Sequence, residues 1–193
     1  MISLARWTRS ERRSLLLGSA LCVAGTTGMF GLFSGDSIGA DGQRPRDRRK
    51  AEIQRTAGEE AAAAEYAAKM EAAMDQASEK LDDFIAALKK PAATQKDFSV
   101  KYLVEQGEAG EYLWVNEVKF DGKKFTGKVA NHPQVVKTLK FGQQVALQED
   151  EIDDWMYVDD GKLKGGFTIR AQREMLKGAD RKKFDEQFKF TFE

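Results

Sequence analysis

The residues Asp153-Asp154-Trp155-Met156-Tyr157-Val158-Asp159-Asp160-Gly161-Lys162-Leu163-Lys164-Gly165-Gly166-Phe167-Thr168-Ile169-Arg170 gather an aromatic pair, four aspartates, three glycines and an arginine into eighteen positions. Trp155 to Val158 reads as a short strand, closed by the turn residues Asp159-Asp160-Gly161. On that strand Trp155 and Tyr157 share one face, and Met156 and Val158 share the other. Thr168 to Lys177 reads as a short helix ended by Gly178.

Upstream of this stretch the pattern is of strands behind one long helix. Phe98, Val100, Tyr102 and Val104 alternate with polar residues, as a half-buried strand requires. Tyr112 to Phe120 is a second strand. Asp121-Gly122 then turns the chain into Lys123 to Val129, the strongest local hairpin signal present. Asn131-His132-Pro133 breaks that strand, and a short one comes next around Val145-Ala146-Leu147. Before all of these, Asp47 to Lys90 is rich in helix formers and ends at Pro91. Met70, Met74, Ala77, Leu81, Phe84, Ile85 and Leu88 recur in steps of three and four, a stripe suited to docking on a sheet. Residues 47–68 are mainly alanine and charge and carry no such stripe, so they read as a solvated, stalk-like extension. Phe188, Phe190 and Phe192 alternate at the end, as a terminal strand or a sticky tail. The expected fold is α+β: one long helix docked on a small, curved, mainly antiparallel sheet, with barrel-like closure as one outcome.

The chain has 193 residues, with 31 basic and 31 acidic side chains in balance, so no overall field attracts nucleic acid or acidic ligands. Leu15 to Phe33 holds no charge and comes after Arg6, Arg9, Arg12 and Arg13. That is the pattern of a secretory signal, and its length is also close to a bilayer span. Residues 1–40 are therefore expected to be an export signal or membrane anchor. They would carry the rest of the chain across the cytoplasmic membrane, into the periplasm or to an anchored position there. Cys22 lies inside the apolar run behind Leu21, which does not suit an acylated cysteine. With one cysteine and one histidine, neither an intrachain disulfide nor a thiolate–imidazole metal cluster is expected. Residues 41–69 then read as linker and helix extension, 70–177 as the α+β domain, and 178–193 as a C-terminal extension.

Several blocks resemble, in order and spacing, the bacterial YegJ-like family: Leu81-Asp82-Asp83-Phe84, Phe98-Ser99-Val100-Lys101, Tyr112-Leu113-Trp114-Val115, Leu139-Lys140-Phe141-Gly142 and the Asp153–Arg170 stretch. The resemblance runs from about Met74 to Met175. It implies a compact α+β domain, frequent in bacterial envelope proteins, with no known activity, cofactor or partner. Members often carry Glu or Asp before the proline, where this chain has His132.

Asp153, Asp154, Asp159 and Asp160 form the only carboxylate cluster dense enough to suggest acid–base work or a hard cation. The strand between the two pairs would hold them roughly 15 Å apart at ~3.3 Å per residue. A turn at Asp159-Asp160-Gly161 and a backbone cap at Asp153 or Asp154 explain them more economically. Trp155 and Tyr157 suit either a ligand-stacking platform or a core. Gly165-Gly166 lacks the context of a dinucleotide fingerprint and reads as a left-handed turn or a close backbone approach. Arg170 reads as an internal partner to an aspartate or as an anion clamp. His132 has no nucleophile near it in sequence. The expectation is a non-enzymatic binding module of the envelope, without cofactor or metal, that takes a protein or surface ligand through the Trp155–Phe167 face. The alternative is a hydrolase or other enzyme built on the Asp153–Asp160 carboxylates with Arg170.

Overall fold

The computed structural model describes residues 45–107 and 109–192, with side-chain surroundings from residue 57 onward. The expected signal or anchor, Cys22 and the start of the linker lie outside the described residues. The chain divides into Met1–Ala67 and a compact unit, Ala68–Glu193.

Helix α1 spans Pro45–Glu79. Proline suits its first turn, where the ring's fixed φ is helical and no N–H is needed. The sequence pattern runs one helix on to Lys90, but the structure breaks it at Lys80, where φ is −109°. A second helix, α2, then spans Leu81–Lys89. Neither proline nor glycine marks that break. The stripe is as expected: Met70, Met74, Ala77, Phe84 and Ile85 are buried, and Leu81 and Leu88 pack against the core.

Six strands complete the sheet: β1 Gln95–Gln106, β2 Ala109–Phe120, β3 Lys124–Val129, β4 Gln144–Gln148, β5 Ile152–Asp159 and β6 Lys162–Gly165. Their order is β4-β3-β2-β1-β5-β6, and every pairing is antiparallel. The edges β4 and β6 do not meet, so the sheet stays open and the barrel-like closure does not form. Its curvature has a local cause. The β1–β5 register slips between Lys96 and Ser99 and again between Lys101 and Tyr102, and the β2–β3 register slips between Asn116 and Lys119. Such bulges bend the bulged strand and increase its twist. Asp97 (φ 58°) and Glu117 (φ 52°) sit in two of them.

One sheet face carries Val100, Leu113, Val115, Phe125 and Trp155, all buried with Ala77, Phe84 and Ile85 of the helices in the main core. The far face is partly covered by α3, Phe167–Met175. Two elements have no clear signal in the sequence: β6, hidden in a Lys- and Gly-rich stretch, and α4, Gly178–Asp185. The aromatic tail is neither a strand nor loose. Thr191 makes a single parallel bridge to Lys162, which occupies part of the exposed β6 edge. Phe184, Phe188, Phe190 and Phe192 form a satellite cluster. Arg173 tops it, 4.6 Å from the Phe192 ring centroid and doubly bonded to Asp185 at 2.6 and 2.8 Å.

Candidate functional site: a buried carboxylate and a displayed loop

Asp154 is completely buried (0% exposed). It lies on β5 directly opposite Lys101 of β1. One carboxylate oxygen accepts the backbone N–H of its neighbour Trp155 at 2.8 Å and that of Phe167 at 3.1 Å. The other accepts the N–H and the hydroxyl of Thr168, at 2.8 and 2.6 Å. Phe167 and Thr168 open α3, whose N-cap position is Gly166, a residue with no side chain to offer. Asp154 therefore caps the helix from a neighbouring strand, satisfying N–H groups that the helix cannot pair itself. A carboxylate also suits the positive end of the helix dipole.

Lys101 completes the cluster. Its Nζ donates to the Thr168 hydroxyl at 3.1 Å and lies 4.8 Å from the ring centroid of Tyr112 and 6.0 Å from that of Trp114. Burial pushes the Asp154 carboxyl up, while the Thr168 hydroxyl, Lys101 and the backbone N–H groups pull it back. Burial likewise pushes the Lys101 ammonium down, against the pull of Asp154 and Asp153. Asp153 is the residue that the β1–β5 register passes over, and it too is buried. Each charge thus compensates the other, the carboxylates buried and Lys101 partly so.

Trp155, next along the same strand, is 5% exposed. Its Nε1–H donates to the Ala77 carbonyl of α1 at 2.8 Å. Its ring stacks on Phe84 at 5.2 Å and meets the edge of Phe167 at 5.4 Å. Tyr157 is half-buried and stacks on Phe98 at 4.9 Å. Both aromatics thus face the helix-covered side. Gly165 and Gly166 have φ of +70° and +62°, a region that side chains rarely adopt. A Cβ at Gly165 would fall on the carbonyl oxygen and indole edge of Trp155, and one at Gly166 on Leu163. Arg170 donates from Nε to the Gly165 carbonyl at 2.9 Å and from Nη2 to the Leu163 carbonyl at 2.6 Å, tying α3 to β6. Asp159 and Asp160 stand at the other end of β5. There Asp160 (φ 48°) and Gly161 (φ 75°) form the two-residue β5–β6 turn. Asp159 accepts the Gln95 side-chain amide at 3.1 Å, and the Thr94 hydroxyl and that amide hold its carboxyl below the usual range. The four carboxylates do not converge. No group of three His, Cys, Asp or Glu that could hold a metal occurs among the described residues. Tyr102 offers no base either, since burial and the Glu151 charge push its hydroxyl up to about 12.

In the sequence the β3–β4 connection, residues 130–143, reads as a strand break at Asn131-His132-Pro133 and a turn at Phe141-Gly142. The structure shows it built. Glu111 of β2 accepts the backbone N–H groups of Gln134, Val135 and Val136 at 2.8, 2.9 and 3.2 Å. Gln106 Oε1 takes the Lys137 N–H at 2.7 Å, and Asn131 Oδ1 takes the Trp114 N–H at 2.8 Å. Partial burial pushes the Glu111 carboxyl up, but the three N–H groups and Lys137 together hold it below the usual carboxylate range. Val136 is buried in the core, whereas Val135 is 42% and Phe141 56% exposed. His132 stacks on the Phe141 ring at 4.7 Å. The sequence signal for this loop was the block Leu139-Lys140-Phe141-Gly142, one of those that carry the family resemblance.

A family model described as "Uncharacterized protein conserved in bacteria" matches residues 67–192, from the second half of α1 to the aromatic tail. The chain belongs to this family, DUF2314. It is 31% identical over 100 residues to the uncharacterized protein YegJ of Escherichia coli K12, covering 52% of this chain and 64% of that protein. It is 34% identical over 88 residues to a protein of Neisseria meningitidis serogroup B provisionally named an ankyrin repeat protein, covering 46% of this chain and 35% of that one. The chain thus spans from about a third to under two thirds of these relatives. No solved structure matches. DUF2314 membership brings a domain and no activity. Its match takes in α4 and the tail, which lie beyond the span of the YegJ-like resemblance.

In this DUF2314 domain the Asp159–Asp160 pair is predicted to matter little. Asn tolerates the left-handed conformation at position 160 and can still accept a hydrogen bond at 159. The Asp159→Asn/Asp160→Asn variant is expected to melt within about 5 °C of the parent, a shift on the scale of minor substitutions in a domain of this size. A larger drop in a thermal scan by circular dichroism would contradict the turn assignment.

Proposed function

We propose that the DUF2314 domain is a non-enzymatic binding module of a bacterial envelope protein, and that its contact residues lie on the β3–β4 loop. One observation carries this reading. Among the described residues the exposed large hydrophobics are Tyr66, Val135 and Phe141, and two of the three lie on that loop. A loop fixed by its own hydrogen bonds loses little further freedom on binding, the condition for a preorganised contact. On the Trp155–Phe167 face, the first expectation for the contact, Trp155 is buried and Tyr157 and Phe167 are half-buried, so the loop offers the more exposed apolar side chains. The enzymatic alternative gains no support: Asp154 meets four donors within the fold, Asp159 meets Gln95, and Arg170 meets two carbonyls. The envelope location rests on the arginine-flanked apolar run at residues 15–33. No helix long and apolar enough to cross a membrane occurs among the described residues.

A benzophenone amino acid placed at position 141 in cells should give photo-adducts, protein or lipid, recovered in the envelope fraction. The same group at the exposed strand residue Ala146 should give none. Absence of any adduct at position 141 above that control, or adducts confined to the cytosol, would overturn the reading.

A further inference from the structure

The chemistry of the β3–β4 loop narrows what it would bind, if it is the contact surface of the binding module. Residues 130–143 contain Lys137, Lys140 and His132 and no aspartate or glutamate. Val135, Lys137, Thr138, Lys140 and Phe141 are all exposed. The nearest carboxylate is Glu111, and it is committed to three backbone N–H groups.

Seven backbone N–H groups between Gln134 and Gln143 are paired. The N–H groups of Gln134, Val135 and Val136 go to Glu111, that of Lys137 to Gln106, and that of Lys140 to Gln143 Oε1 at 3.1 Å. Gly142 N–H goes to the Val129 carbonyl at 2.8 Å, and Gln143 N–H to the Lys140 carbonyl at 3.0 Å. The loop therefore presents apolar side chains and cations outward, with Lys137 Nζ also donating to the Gln134 carbonyl at 2.6 Å. A protein pocket is recognised by a buried anchor ringed by oriented polar contacts. A lipid surface makes a different demand: backbone groups already paired, apolar tips that enter the headgroup–acyl boundary, and cations that meet anionic headgroups. The loop supplies the apolar tips and the cations, and it has seven of its backbone N–H groups paired.

We infer that this loop docks on an anionic lipid surface, with Phe141 and Val135 inserted and Lys137 and Lys140 on the headgroups. Leu139 and Val136 remain packed in the domain and hold the loop at its base.

The test uses the full chain carrying Cys22→Ser and Thr138→Cys, labelled at the new thiol with the polarity-sensitive nitrobenzoxadiazole fluorophore. It is mixed with vesicles of phosphatidylcholine alone or of phosphatidylcholine with phosphatidylglycerol. The apolar run at residues 15–33 and the arginines before it are present in every variant, so the comparison of each loop variant with the parent on the same vesicles isolates the loop. The expected result is a several-fold, blue-shifted rise in emission on the phosphatidylglycerol vesicles and water-like emission on the others. Phe141→Asp should abolish the rise, and Lys137→Gln/Lys140→Gln or high salt should weaken it. Each variant is checked for the parent's melting transition, and Val135→Asp supplies a second apolar test should Phe141→Asp fail to fold. Water-like emission on both vesicle types, or a rise unaffected by Phe141→Asp and Val135→Asp, would overturn the inference. Water-like emission together with photo-adducts to a protein at position 141 would remove the lipid surface while leaving the binding module in place.

Discussion

Truncation of Trp155 to alanine is expected to cost about 3–5 kcal/mol of domain stability, the range for removing a large buried aromatic that its surroundings cannot collapse to fill. The ring is wedged between Phe84 and Phe167 and joins β5 to α1 through the Ala77 carbonyl. Alanine would lose the apolar burial, the ring contacts and a hydrogen bond, and would leave that carbonyl unpaired in the core. Gly165 could not move in to fill the space, because its own conformation is set by φ +70° against the indole edge. Trp155→Phe is the informative companion. It keeps a ring against Phe84 and should recover most of the loss, leaving a deficit of about 1 kcal/mol for the hydrogen bond plus a smaller term for the narrower ring. Urea titration read by circular dichroism measures both. If Trp155→Ala unfolds at the parent's midpoint, the ring is not a core member and the packing described for the α1–β5 contact is wrong.

Asp154→Ala should be comparably damaging, at about 3–5 kcal/mol, for a different reason. The variant removes the buried member of a charge pair whose other member, Lys101, is partly buried. It takes from the Lys101 ammonium the stronger of its two carboxylate partners, leaving Asp153, and it leaves the N–H groups of Phe167 and Thr168 and the Thr168 hydroxyl without their acceptor. The start of α3 should loosen as a result. Hydrogen exchange at Phe167 and Thr168 should then quicken more than at strand positions such as Leu113. Lys101→Met should cost less in the Asp154→Ala background than in the parent, because the cation it removes is less well compensated there. That non-additivity is what a shared buried site predicts. Unchanged stability on Asp154→Ala, with α3 exchange as in the parent, would mean that the carboxylate is not a cap. The enzymatic reading of the aspartates would then return.

Both predictions concern residues that stand side by side in the sequence and point to opposite faces of one strand. That arrangement explains why the Asp153–Arg170 stretch is so dense in unlike residue types. Trp155 closes the core beneath the helices, while Asp154 reaches across the other face to start α3. Gly165 and Gly166 let the chain turn tightly between them. Arg170 then returns to bind the carbonyls that this turn leaves exposed.

The sequence by itself determined the docking stripe from Met70 to Leu88, the Asp121-Gly122 hairpin, the α+β class and the turn at Asp160-Gly161. These depend on periods and turn chemistry that act over a few residues, so they are written locally. It also carried the family, through blocks whose order and spacing survive without knowledge of what they touch. Only the tertiary structure decided the rest. The pairing of Asp154 with Lys101 joins residues 53 positions apart, and no local pattern marks a carboxylate on one strand as the cap of a helix two elements later. Strand β6 is a strand because β5 lies beside it, not because Lys162-Leu163-Lys164-Gly165 has a strand's alternation or composition. The break at Lys80 and the open sheet edge have no mark in the local sequence. The loop at 130–143 reads as a gap in the sequence because the groups that order it, Glu111 and Gln106, belong to the preceding strands and reach it only when β2 and β3 pair. Long-range hydrogen bonding, absent from any window of sequence, converts that gap into a loop that holds Val135 and Phe141 out into solvent.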